Sequence, residues 1–231
     1  MCSIADMDYE LLSKLYYITE FTGYSDEEIS ELTCGFDIVP SALISFWKKC
    51  GGTDKLFSAS NDTWLNPAVC RRYKNMQDPS CGYFFILDEV QCVYRCGIRT
   101  QDMSMDEPPV YVVEPMPDGS LREAGQASSS VSEFLMGMLV YEAGMGAVPY
   151  IREEIVCYTL EDISLIETLL SKLPYHVHCW YSDRLDFYTL TGNEVLFVMV
   201  SEDPNGTYAA NSKDAYEKIH ALIGDIGEAM W

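Results

Sequence analysis

Leu185-Asp186-Phe187-Tyr188-Thr189-Leu190-Thr191-Gly192-Asn193-Glu194-Val195-Leu196-Phe197-Val198-Met199-Val200 is the stretch that decides the fold class. Two runs rich in β-branched and aromatic residues, Leu185 to Thr191 and Glu194 to Val200, flank a Gly192-Asn193 pair, which predicts two strands joined by a tight turn. A turn that short pairs its strands antiparallel, because a parallel pair needs a crossover of about a dozen residues or more. Outward from the hairpin, Tyr175 to Tyr181 predicts a preceding strand, and Asp203-Pro204-Asn205-Gly206 a turn into a short strand and a final helix near Ser212 to Ile223. Ile163, Ile166, Leu170 and Leu173 mark a helix from about Leu160, ended by Pro174.

The N-terminal half alternates in the same way. Met7, Leu11, Leu15 and Ile18 fall at helical spacing, and Ser25-Asp26-Glu27-Glu28 is a capping box for a second helix that Gly35 ends. Leu43, Phe46, Trp47 and Cys50 share one face of a third helix, with Gly51-Gly52 as a left-handed stop. Tyr83 to Leu87, Val93 to Ile98 and the run from Pro108 to Val113 read as strands, and Ser130-Val131-Ser132-Glu133 caps a helix closed by Gly144. The expected fold is α+β, a mixed, largely antiparallel sheet packed against helices. Gly and Pro in 144–149 divide the chain into 1–149, an α+β domain with its N-terminal helix, and 150–231, an α+β extension packed on or continuing the same sheet.

Composition narrows the function. Of 231 residues, 48% are apolar, enough for a substantial core, and 36 acidic against 15 basic groups give a net charge of −21. Such a surface repels phosphate backbones and anionic lipid, so neither direct nucleic-acid binding nor membrane binding is expected, whereas a basic partner is attracted. The N-terminus lacks a basic start and an apolar core, and no run approaches the roughly 20 apolar residues of a membrane helix, so a cytoplasmic protein is expected. The nine cysteines are read as reduced thiols.

Catalytic patterns are sparse. The chain contains no GxxxxGK[ST], GxGxxG or GxSxG. His176 and His178 stand two apart in a predicted strand and so share a face, but nothing in sequence completes the four ligands of a structural zinc site. Cys92 and Cys96 share a face of a strand-like segment without a partner pair. Paired acids such as Asp88-Glu89 and Asp106-Glu107 can act as acid and base, yet adjacent carboxylates at strand ends are commonly solvated edges. No enzyme, cofactor or metal is expected. Trp64, in the loop-like Asn61-Asp62-Thr63-Trp64-Leu65, can anchor an interface or fold back on the core.

One ordered series of motifs adds to this reading: Phe46-Trp47-Lys48-Lys49-Cys50-Gly51-Gly52, Trp64-Leu65-Asn66-Pro67, Gly82 to Gln91, Val93 to Ile98, Asp106-Glu107-Pro108-Pro109-Val110-Tyr111 and Ser132-Glu133-Phe134-Leu135. Over about residues 25–145 this order resembles the SUKH superfamily, which includes bacterial toxin-immunity proteins and a related fungal cell-wall-synthesis regulator. Val90, Cys92 and Cys96 stand where that family often has Asn, Gly and Trp, and Glu107 interrupts its diproline motif. The resemblance implies an α+β domain without enzymatic activity, which binds and neutralises a cognate toxin, often a nuclease, by stoichiometric protein–protein contact. The acidic surface agrees in sign, since it steers toward a basic toxin domain. Asp88, Glu89 and Gln91, with Asp106, Glu107 and Trp64, are the candidate contacts. The alternatives are a regulatory or scaffold protein of the same fold, or a thiol- or metal-dependent hydrolase.

Overall fold

Asp8 accepts from the Leu11 amide at 2.9 Å and starts α1 (Tyr9–Leu15), the first element of the computed structural model, which describes residues 7–72, 78–179 and 182–230. Cys2 and the strand end expected at Tyr181 lie outside the described residues. α2 (Asp26–Leu32) carries the predicted capping box: Ser25 Oγ accepts from the Glu28 amide at 3.2 Å, and the Glu28 carboxylate accepts from the Ser25 amide at 2.8 Å. α3 (Ser41–Cys50) buries Leu43, Phe46, Trp47 and Cys50 on one face, as the spacing predicts. Gly51-Gly52 is not a left-handed stop, for neither residue has a positive φ. A side chain at Gly51 would strike the Tyr24 ring at 2.5 Å and the Trp47 carbonyl at 2.9 Å, so glycine serves close approach rather than handedness.

Short elements follow: α4 (Asp54–Phe57), β1 (Thr63–Trp64) and α5 (Pro67–Arg72). β2 (Tyr83–Asp88), β3 (Arg95–Arg99), β4 (Val110–Pro115) and β5 (Leu121–Ser128) then complete an antiparallel meander in the order β1-β2-β3-β4-β5. One face of this sheet meets the helices, with Phe84 edge-on to Phe36 (5.0 Å) and tilted on Trp47 (6.1 Å). Sequence reading missed β5 because Arg122, Glu123, Gly125 and Gln126 give it no apolar alternation; it is an exposed edge strand, paired to β4 and tied by the Arg122–Glu114 ion pair.

α6 (Val131–Glu142) is nearly all buried and runs into a π turn at 143–147, where Gly146 adopts a φ of 112°. Beyond it lie β6 (Tyr150–Ile151), β7 (Val156–Cys157), α7 (Leu160–Leu169), β8 (Ser171–Cys179), β9 (Ser182–Thr189), β10 (Glu194–Val200), β11 (Asn205–Ala210), α8 (Lys213–Ile223) and β12 (Glu228–Ala229). Their order is β12-β7-β11-β10-β9-β8, with β6 also on β11, and every pairing is antiparallel. Among the described residues these strands pair only with one another, so they build a second sheet instead of continuing the first. Leu173 and Pro174 do not end α7 but lie within β8, an edge strand, where a missing amide is tolerated. Ile166, Tyr188, Leu196, Val198, Tyr208, Ile219 and Ile223 form the core between this sheet and α7 and α8.

The fold is thus α+β. It divides into two compact units, the first made of Glu20–Phe57 and Asn61–Phe134, the second of Met7–Thr19, Ser58–Ser60 and the chain from Leu135 onward. Among the described residues, no helix is long and apolar enough to cross a membrane.

Candidate functional site

The hairpin between β2 and β3 gathers three of the sequence candidates. Asp88 stands at its base opposite Arg95, with Asp88 Oδ1 2.7 Å from Arg95 Nε. That contact is an ion pair by distance but is not aligned as a hydrogen bond, and burial pushes the Asp88 carboxyl above its usual range despite the cation. Glu89 comes next, and its Oε2 accepts from the amides of Gln91 (2.9 Å) and Val93 (3.1 Å). The Glu89 amide donates to the Tyr94 carbonyl (3.2 Å), the Cys92 amide to the Glu89 carbonyl (2.8 Å), and the Val90 amide to Asp62 Oδ1 (3.1 Å). Cys92 takes a φ of 58°, a conformation that costs a non-glycine residue about 1 kcal/mol or more and persists because these bonds over-determine it.

Loop amides that normally face water are therefore satisfied by the protein itself, which holds the loop in one hydrogen-bonded conformation. Its outward side is apolar: Val90 is 60% and Val93 40% exposed, beside exposed Gln91 and Cys92. Val93 is not part of a strand as its composition suggests, since its amide is spent on Glu89 instead of a neighbouring strand. Cys92 and Cys96 consequently do not share a face; Cys92 is exposed in the loop and Cys96 buried in β3.

Below the loop, the sheet face away from α3 carries Tyr83, Phe85, Tyr111 and Val113, roofed by two arginines. The Arg95 guanidinium lies 5.1 Å from the Phe85 ring centre and that of Arg99 3.8 Å from Tyr111. Glu123 of β5 takes two bonds from Arg99 (2.8 and 2.5 Å) and one from the Tyr83 hydroxyl (2.8 Å). The Arg99 bonds hold the Glu123 carboxyl below the usual carboxylate range. Gly97 sits between the two arginines on β3; a side chain there would meet Phe85 at 3.0 Å and the Phe84 carbonyl at 2.8 Å.

The remaining candidates lie elsewhere. Asp106 Oδ1 accepts from Ser41 Oγ at 2.8 Å and its carbonyl from the Ala42 amide at 3.4 Å, so it closes the start of α3, whose own N-cap, Pro40, makes no side-chain hydrogen bond. Glu107 accepts from the amide (3.1 Å) and hydroxyl (2.6 Å) of Ser132 at the start of α6. The adjacent acids thus serve two helix N-termini, where negative charge is stabilising. Trp64 is not in a loop: it pairs with Leu87 in β1, is only 4% exposed, and sets its ring against Phe57 at 5.6 Å. Its indole is core and offers no anchor at the surface. His176 and His178 do share an exposed face of β8. Among the described residues, no group of three or more His, Cys, Asp or Glu side chains is placed to hold a metal ion.

Sequence reasoning missed Val90 and Val93 as site residues, although two valines inside an otherwise polar turn were a readable signal; Arg95, Arg99 and Glu123 come together only through strand register. No family model, no curated protein and no solved structure matches this chain.

Proposed function

We propose that this chain acts by binding a protein partner stoichiometrically, as an immunity-type inhibitor of a basic toxin domain, in the manner of the family that its motif order resembles. The observation that carries the reading is the β2–β3 loop: an internally hydrogen-bonded turn whose outward face is apolar, on a protein of net charge −21. A preformed loop avoids most of the ordering cost that flexible segments face on association. Val90 and Val93 supply apolar surface to bury, and Gln91 a polar edge beside them. The charge excess acts at longer range, speeding encounter with a cationic partner in a way that salt screens over roughly 8 Å at physiological ionic strength. The protein itself transforms no substrate in this reading.

The test is calorimetric titration, with stopped-flow measurement of association, against the purified product of the gene adjacent to this chain's own, at low and moderate salt. A one-to-one complex whose association slows with salt supports the proposal. Absence of a complex at both salt concentrations defeats it, and a one-to-one complex with a neighbour that is no toxin favours a regulatory protein of the same fold.

A further inference from the structure

The proposed partner-binding loop leaves one feature of the second unit unused. His176 and His178 lie on β8 on either side of Val177, which is buried, so both imidazoles project from the exposed face. Their ring centres are 5.8 Å apart with the planes at 82°. β8 ends its sheet, and no further strand pairs beyond it among the described residues.

We propose that His176 and His178 together chelate a borderline divalent transition ion, such as Ni²⁺, Cu²⁺ or Zn²⁺, with water completing the coordination. Imidazole nitrogen suits these ions, whereas Ca²⁺ and Mg²⁺ take oxygen ligands. A metal about 2.0–2.1 Å from each nitrogen needs two rings fanned about one point. Rings already near perpendicular at 5.8 Å reach that arrangement by side-chain rotation alone, with the strand unmoved. A strand spacing of two residues fixes this geometry, since it sets both Cβ atoms on one face about 6.6 Å apart along the chain.

The surroundings set the coordination number. Asp186 stands directly across from His176 in the β8–β9 register, but its carboxylate is occupied: Lys172 Nζ donates to Oδ2 at 2.6 Å, and Arg184 Nε lies 2.7 Å from Oδ1. It is therefore not available as a third ligand. Asp186 and Glu167, the latter 3.7 Å from Lys172, also offset the two cations that would repel a metal. The net charge of −21 raises the local concentration of cations.

The test uses the full chain, with its thiols kept reduced by a non-chelating phosphine, titrated with Ni²⁺ by calorimetry and followed by absorption. The expected result is saturable one-to-one binding, weakened about tenfold or more by either His176→Ala or His178→Ala, abolished by the double variant, and kept by His220→Gln, which alters the third histidine. The absorption spectrum shows no thiolate-to-metal charge-transfer band. No saturable binding, binding retained in the double variant, or a thiolate band each overturns the proposal. Unchanged circular dichroism of the variants separates ligand loss from unfolding, and neither result bears on the toxin reading.

Discussion

Two hairpin loops in this molecule use the same device to opposite ends. In the second unit, between β9 and β10, Glu194 is 1% exposed and turns its carboxylate back into its own loop. It accepts from the amides of Leu190 (2.7 Å) and Thr191 (2.6 Å) and from the hydroxyls of Thr189 (3.0 Å) and Thr191 (2.8 Å). The turn packs down at its glycine, although Leu190 and Thr191 stay exposed: a side chain at Gly192, whose φ is 88°, would meet Lys14 at 3.3 Å and Leu11 at 3.6 Å. In the first unit, Glu89 organises the β2–β3 loop from a half-exposed position and leaves valines pointing outward. One glutamate is buried beneath a turn packed on its neighbours, and the other holds a turn out on display. A glutamate tying up loop amides thus says that a turn is held in one conformation, and only the side chains left outside say whether it is structural or presented.

The sharpest way to break this comparison is Glu194→Ala. It removes a buried carboxylate and its four charge-assisted bonds, so a loss of about 2–4 kcal/mol in urea unfolding is expected; a loss below about 1 kcal/mol would mean that the two turns are not of different kinds. Next in size is the Val90→Asp, Val93→Asp double variant. About 100-fold weaker partner binding is expected by calorimetry, while unfolding shifts by no more than about 0.5 kcal/mol because both side chains are exposed. Equal damage to folding and binding would show the valines to be part of the core. Glu89→Ala comes third: about 1 kcal/mol less stable by the same unfolding assay, with partner binding about tenfold weaker as the loop loosens.

Smallest is the effect of acid. Glu123, held low by Arg99, contributes stability that is present above the ordinary glutamate range and is lost as pH falls through its lowered folded value. Asp88, raised by burial, has the opposite sign: between its raised folded value and the ordinary aspartate range the folded state binds the proton more tightly, so stability rises as pH falls. Asp88→Asn should therefore remove an acid-side gain and Glu123→Gln an acid-side loss, each of about 0.5 kcal/mol or less in urea midpoints between pH 3.5 and 7. Changes in slope of the same sign, each variant against the parent protein, would contradict the assignment.

The legible parts of the fold were those written in neighbouring residues. The Ser25–Glu28 box, the Leu43-Phe46-Trp47-Cys50 face and the Gly192-Asn193 turn each depend on groups within a few positions of one another. What stayed hidden depends on register or on distance along the chain. Leu173 continues the helical spacing of Ile166 and Leu170, yet β9 claims it for a strand, since cross-strand pairing outweighs a weak local preference. β5 carries almost no apolar pattern because neither of its faces is covered over most of its length. Of the candidate site, Asp88, Glu89 and Gln91 do stand at one loop, whereas Asp106 and Glu107, expected as partner contacts, serve helix starts that sequence does not reveal because the groups they meet lie up to 65 residues away.

That separation has a consequence for how the chain is made. At roughly 5–20 residues per second, Ser41 is synthesised about 3–13 s before Asp106, a gap of 65 positions. The third helix must therefore wait through that interval with its leading end answered by water alone. A nascent chain stalled before residue 106 should show that end exchanging its amide hydrogens freely, while one released past Ser132 holds the starts of both helices closed by a single dipeptide.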